Sequence, residues 1–578
     1  MHASIAILPA TFVLCCFVPG YALTRRLDWP PAEKACAALV LSSLALYLLC
    51  FGAFLVGWPS RWSVVVPLGC LVWVARSARP LRELVGCGET RRLVVGWCMV
   101  LVAGLVVLSW STTYAGADWM GDWLEHFQRA RYYLEGTAGP ARFLDLYGVA
   151  ERPPLMNLLA AFFMDHVGRS HESCQLVALL LNSTVFFAAA AVMQAIGTER
   201  RPWSKTLLPV LLCSPLFMHN LSYGWTRSLC SFFVLSGVAF YLRALRGGGD
   251  RPVILAFVSL TLAVSTHYSA IPYLVFVVLH SLVGFTLGPE RRLRTLLAVA
   301  APAAILLPWL AWNAAQVGVA AFAESNIFAR VAGPLSIGEL LVRSAANLRD
   351  TVVPHFLRHV DGRWFNHGSP LGYLHDYTFA LYQTNLLFAL GSIGWALVGF
   401  ELLRRRPAAN RETVFWVGLV GAGVVLGTLS HPRTSEFGAA HIAMQPLVIL
   451  GLVRLATAWR SWPAWVRRIA GIAWAIDFLL GVALHVAAQV VDVQDARFED
   501  GRWEFVTSQP ISWATRQNLI AAAEHGIGFL GDRLAPYRAL GIGTAVLALV
   551  AAAVAARWNA SRTRTEPVPE SGAPARRP

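Results

Sequence analysis

Long apolar runs alternate with short polar breaks along nearly the whole chain, and runs of 18 or more residues are long enough to cross a hydrocarbon core as helices. Pairing runs with breaks predicts spans over 4–23, 35–57, 62–76, 93–113, 172–195, 206–219, 228–245, 252–266, 268–288, 295–316, 378–402, 412–430, 441–457, 469–491 and 536–556. Two stretches interrupt this rhythm. WLEHFQRARYYLEG (123–136) sets Trp123, Phe127, Ala130 and Leu134 at helical intervals with charged positions between them, which predicts an amphipathic helix lying in the membrane interface. ERPPLMNLLAAFFMDHVG (151–168) predicts a further helix opened by Pro153 and Pro154. Asp165 and His166 interrupt its apolar run, so it reads as re-entrant or at the surface rather than spanning. The expected fold class is an all-α polytopic membrane protein of about 13–15 spans, with amphipathic surface helices in its first large external loop.

Composition agrees. The 578 residues are 56% hydrophobic and only 14% charged, against about 25% charged in soluble domains. The net charge of +15 reports orientation. Basic clusters at 24–34, 76–92, 199–205, 246–251, 289–294, 404–412 and 454–468, and in the tail, all fall on one side if the spans alternate. That side is cytoplasmic by the positive-inside rule, which puts the N-terminus outside and the C-terminus inside. The charge therefore implies no nucleic-acid partner. The first run has no basic residues before it and Arg25 and Arg26 after it, so it is not read as a removable signal peptide. The ten cysteines lie in spans, at their ends or at Cys87, and imply no disulfide framework. Lysine occurs only at Lys34 and Lys205 in an arginine- and alanine-rich chain, a composition that suggests a GC-rich bacterial genome, and the expected location is the bacterial inner membrane.

Once oriented, the chain carries most of its acidic residues in the external segments 114–171, 317–377, 431–440 and 492–535. The membrane interior holds one clear charge, Asp477, with His485 in the same span, and Asp477 reads as an interhelical hydrogen-bond partner. Chemistry is therefore expected outside. Asp122 reads either as an N-cap or as a reactive carboxylate, and Asp118 as a second cap or a loop residue. Glu125 and His126 read as a solvated helix face. Glu151 and Arg152 stand beside a helix N-terminus, pointing back towards these carboxylates. His355, His359, His367 and His375 cluster in 352–377, but without a Glu-x-x-His signature they read as a lid or acceptor-lining loop rather than a zinc site. Trp364, Phe365 and Tyr373 there suit either stacking on sugars or anchoring in the interface.

In order and spacing these features resemble the membrane-embedded GT-C glycosyltransferases that use polyprenyl-phosphate-linked sugars. The nearest group holds the bacterial protein O-mannosyltransferases, lipopolysaccharide sugar transferases and lipid A aminoarabinose transferases. The likeness is carried by Asp122 followed by Ala130, Arg131 and Leu134, then by the step Glu151, Arg152, Pro153, Pro154, Leu155. The stretches 199–245 and 266–276 extend it, so that 93–460 is the expected catalytic core. Around it stand extra spans in 1–92, C-terminal spans in 461–557 and a disordered cytoplasmic tail in 558–578. Two departures stand out. Trp123 follows Asp122 where the family often has Glu, and SEFGAAHIAMQP (435–446) puts His441 near the place of an Arg-Tyr step.

The resemblance implies transfer of a sugar from a polyprenyl-phosphate donor to an extracytoplasmic glycan, lipid or protein by inverting displacement. Asp122 matches the general base, with Asp118 beside it. Arg152 matches the cation for the leaving phosphate, with Arg227 and Arg433 behind it, and Tyr223, Glu125, His126, Glu151 and His441 as further substrate contacts. Asp118 and Glu151, helped by Glu125, would hold Mg2+ or Mn2+, hard ions suited to oxygen ligands. An envelope-glycan polymerase or ligase shares this chemistry. A lipid or sugar transporter predicts an inverted repeat and a mid-membrane polar site, and the sequence shows neither. A non-catalytic partner that keeps the fold is disfavoured by the presence of Asp122.

Overall fold

In the computed structural model, the described residues are 2–112 (except 59, 78–81 and 85), 122–136, 141–143, 147–196, 206–285 (except 248), 289–325, 336–352, 411–429, 441–490, 495–499, 502–506, 527–538 and 543. Their architecture is helical. In chain order the helices are α1 (His2–Cys16), α2 (Val18–Thr24), α3 (Pro31–Leu55), α4 (Val65–Arg76), α5 (Gly88–Trp110), α6 (Asp122–Glu135), α7 (Leu155–Val167), α8 (His171–Ser183), α9 (Val185–Ile196), α10 (Leu207–Leu212), α11 (Pro215–Ser222), α12 (Arg227–Leu245) and α13 (Asp250–Thr266). They continue as α14 (Ile271–Phe285), α15 (Pro289–Val317), α16 (Val319–Ser325), α17 (Ile337–Val352), α18 (Arg411–Leu429), α19 (His441–Ala458), α20 (Ala464–Val490) and α21 (Leu530–Leu534). Two antiparallel hairpins accompany them, β1 (Arg142–Phe143) with β2 (Tyr147–Gly148) and β3 (Asp495–Glu499) with β4 (Arg502–Val506).

Five helical stretches among the described residues are long and apolar enough to cross a membrane: Ile7–Thr24, Pro31–Leu55, Gly88–Trp110, His171–Ile196 and Arg227–Leu245. Their outward faces suit a hydrocarbon solvent. On the shorter α4, Val65, Leu68, Leu71 and Val72 repeat at helical spacing and are all exposed. The expected span 172–195 is matched by His171–Ile196, interrupted only at Thr184, whose hydroxyl donates to the Leu181 carbonyl (2.6 Å). One expected span divides. The run 206–219 divides into α10 and α11 because Pro215 has no N–H to give and Ser214 caps the new start. Expected spans 378–402 and 536–556, and the tail 558–578, lie outside the described residues.

The packed centre is α12, sandwiched between α9 and α13. Gly237 sets the α12–α13 spacing, since a Cβ there would come 3.1 Å from the Ala256 carbonyl oxygen. Around this centre, α7 packs on α8, α3 and α1, and α6 lies across α7. Helix α5 spans 23 residues, a rise of roughly 33 Å. Its Gly88 end and its Trp110 end therefore mark the two faces of the bundle, and α6 follows the Trp110 end.

Candidate active site

Helix α6 forms where the sequence pattern predicts it, ending at Gly136, whose φ of +69° suits glycine at a helix C-terminus. Its exposure differs from expectation. Glu125 is 0% and His126 4% exposed, so they are not a solvated face. The reason is spacing: Asp122, Glu125, His126 and Arg129 recur at i, i+3, i+4 and i+7, and the α7 and β-hairpin segment covers that stripe. Trp123 on the other flank is covered by His171 and Phe529 at ring distances of 4.8 and 5.1 Å.

Arg152 is the hub. Its Nη2 lies 2.6 Å from Asp122 Oδ1 and its Nε 2.8 Å from Glu125 Oε2, so one guanidinium joins two carboxylates. The second oxygen of Glu125 takes Arg129 Nε at 2.7 Å. Arg129 in turn donates to the carbonyls of Val149 (3.0 Å) and Gly148 (2.8 Å), fastening the turn that delivers Arg152. Glu151 is buried, and its Oε1 accepts the Gly148 N–H at 3.1 Å. Pro153 and Pro154 then release the chain into α7, as the sequence predicts. Tyr147 places its ring 5.7 Å from the Arg152 guanidinium carbon.

Charge follows this wiring. Burial raises the Asp122 carboxyl above its ordinary value, the Glu125 charge adds to that rise, and Arg152 and Arg227 oppose it. Burial would raise Glu125 as well, but Arg152 and Arg129 outweigh it and hold Glu125 below the usual range. The two carboxylates thus diverge: Glu125 is a fixed anion, whereas Asp122 is the more basic, titratable one. Burial and the Arg152 charge push His126 down to about 3, so its imidazole is neutral. Its Nδ1 sits 3.1 Å from Asn157 Oδ1.

Arg227 reaches the same site from the start of α12, where its charge acts on Asp122. Its guanidinium stacks 3.6 Å over the Trp225 ring, and Tyr223 packs 4.0 Å from that ring. Asn182, in α8, holds this turn by donating to the Tyr223 (3.3 Å) and Trp225 (3.0 Å) carbonyls and accepting from Leu229 N–H (3.1 Å). A small cavity of ≈30 Å³ opens between His126, Tyr147, Arg152, Thr226, His267 and Tyr268.

The structure therefore brings Asp122, Glu125, His126, Glu151, Arg152 and Arg227 together, with Tyr223 supporting Arg227. Asp118 and Arg433 lie outside the described residues, as do His355, His359, His367 and His375. His441 opens α19, where only the backbone is described. Sequence reasoning passed over Arg129, Asn157, Asn182 and Thr226. Asn157 and Asn182 carried a signal, being amides within otherwise apolar helices. Of the expected metal ligands, Asp118 lies outside the described residues and Glu151 within them. Among the described residues no three His, Cys, Asp or Glu side chains converge, and Asp122 and Glu125 face arginine while Glu151 closes its own turn.

No protein-family model matches the chain, and no curated protein does. Two solved structures are similar, both of ArnT from Cupriavidus metallidurans. The form bound to undecaprenyl phosphate is 15% identical, with 69% of this chain and 76% of that chain covered at a TM-score of 0.41. The apo form is 14% identical, with 70% and 77% covered at a TM-score of 0.42. Likeness at this level is too slight to carry a conclusion about the reaction of this chain.

Proposed function

We propose that this protein is a membrane glycosyltransferase that moves a sugar from a polyprenyl-phosphate-linked donor to an extracytoplasmic acceptor, with inversion. The observation that carries the reading is the Asp122–Arg152 pair, a base and a phosphate-binding cation in contact beyond the end of a long apolar helix. A sugar hydroxyl is a weak nucleophile, so a carboxylate must take its proton as the anomeric carbon is attacked. The leaving phosphate needs charge-assisted donors.

In this mechanism the donor phosphate engages Arg152, whose Nη1 takes part in neither ion pair, and competes with Asp122 for the guanidinium. Loosening that pair frees Asp122 Oδ1 for the acceptor hydroxyl. The acceptor oxygen then bonds to the anomeric carbon, the carbon–phosphate oxygen bond breaks, the proton passes to Asp122, and polyprenyl phosphate departs. Glu125 stays ionised and keeps Arg152 in place throughout, and Arg227 adds positive charge nearby. Because arginine supplies the charge, EDTA should leave transfer within twofold of the untreated rate; a loss restored by Mg2+ or Mn2+ would assign that charge to a metal.

The direct test is Asp122→Asn, assayed in membranes with a labelled polyprenyl-phosphate sugar. Transfer should fall by about 10²-fold or more, while the protein inserts at normal levels. Full activity in that variant removes the base and the reading with it.

A further inference from the structure

The opposite end of the bundle carries a groove that sugar transfer does not use. Helix α2 stops at Thr24, α3 starts at Pro31 and α5 at Gly88, so three spans end at one face, the length of α5 away from α6. Between them lies a groove of ≈470 Å³ lined by Tyr21, Arg25, Arg26, Trp29, Lys34 and Glu83 among others. A second groove of ≈270 Å³ nearby is lined by Glu33, Arg243 and Arg246. The two differ in their charge. Arg243 is paired with Glu33 at 2.8 Å and Arg246 with Glu412 at 2.6 Å, so the second groove is neutralised from within. Among the described residues, Arg25, Arg26 and Lys34 take part in no ion pair.

Three cations against the single carboxylate of Glu83 leave an excess of positive charge in the groove, which calls for an anion. The surroundings say which kind. Leu23, two residues before Arg25, is 72% exposed, and Tyr21 packs edge-on to Trp73 of the lipid-facing α4 at 6.4 Å. Trp29 and Tyr21 are the amphipathic rings that settle at headgroup depth. The groove thus joins cations that suit a phosphate with aromatic rings and a neighbouring exposed aliphatic side chain that suit the rest of a phospholipid.

We propose that this groove is a binding site for the phosphate headgroup of an anionic phospholipid, with Arg25, Arg26 and Lys34 as its phosphate ligands. The site rests on the membrane placement of the helices and not on the sugar-transfer reading. The test is native mass spectrometry of the purified full chain with added phosphatidylglycerol, phosphatidylcholine or inorganic phosphate. The wild type should retain phosphatidylglycerol and not phosphatidylcholine. The variant Arg25→Gln/Arg26→Gln/Lys34→Gln should retain it about tenfold less well, whereas Arg25→Lys/Arg26→Lys/Lys34→Arg keeps it. Asp122→Asn should bind as the wild type does, which separates this site from the transfer chemistry.

Equal retention by the glutamine variant overturns the proposal, and so does equal retention of phosphatidylcholine by the wild type. Displacement of the lipid by millimolar inorganic phosphate overturns the lipid in favour of the free anion. Should the glutamine variant fail to fold, a photoactivatable phosphatidylglycerol on the wild type decides. Crosslinks within 21–34 or 83–90 support the groove, and crosslinks confined to other segments overturn it.

Discussion

Arg152 illustrates how one side chain sets the properties of its neighbours. Its planar fork reaches Asp122 and Glu125 through different nitrogens, which a lysine ammonium on its flexible stem does not reproduce. Arg152→Lys should therefore retain binding of the donor yet lose about 10-fold or more in kcat, while Arg152→Ala loses both, as steady-state transfer kinetics would show. The titration of Asp122 gives a second expectation. Under the proposed mechanism Asp122 acts deprotonated, and burial raises its carboxyl, so kcat/KM should fall as pH drops through a value above the ordinary carboxylate range. No histidine limb should appear between pH 5 and 8 from His126, which is already neutral there. Asp122 and Arg152 were legible in the sequence from their order, a carboxylate in the first external loop and an arginine set directly before a Pro-Pro step. The burial of Glu125 and His126 was not, since a charged stripe looks the same whether water or another helix covers it, and Arg129 reads as surface charge until Val149 and Gly148 fold onto it.

Among the secondary-structure elements, α8 matters beyond its role as a span. Asn182 makes three hydrogen bonds to the turn that launches α12 and so fixes where Arg227 enters the site. Replacing it by leucine leaves the Trp225 carbonyl and the Leu229 N–H without Asn182 in a buried place and takes one of two donors from the Tyr223 carbonyl. Asn182→Leu should cost about 2–3 kcal/mol in thermal or denaturant unfolding and lower transfer more than that loss of folded protein explains. Glu125→Ala should cost a similar amount or more, because it takes the shared carboxylate from Arg152 and removes the anion paired with the buried Arg129. The elements themselves were largely written in the apolar periodicity, which placed α3, α5, α6, α12 and α13 within a few residues. It failed at Ser214–Pro215, where a side-chain cap and a missing N–H outrank hydropathy. Hairpin β3–β4 was passed over although the sequence sets Asp500-Gly501, a two-residue turn signal, between its strands.

For the molecule as a whole, the buried polar network makes stability depend on acid. Glu125 is held below and His126 well below its ordinary value, so the unfolded chain binds protons that the folded one excludes. Stability contributed by His126 is complete above about 6.5 and declines as pH falls towards about 3, and that of Glu125 is lost in the same direction. Melting temperature in detergent should therefore drop on acidification from pH 7 to 4, and the slope should flatten in a His126→Phe variant. The segment 527–538 has a consequence in time rather than in space. Phe529 packs against Trp123 at 5.1 Å, Leu530 N–H donates to Gln175 at 2.8 Å and Arg538 donates to the Ser109 carbonyl at 2.6 Å. The helix carrying Asp122 leaves the ribosome some four hundred residues before the piece that seats it. During synthesis Asp122 thus rests on an unfinished mount, and under the proposed reaction sugar transfer waits until 527–538 has been made and docked.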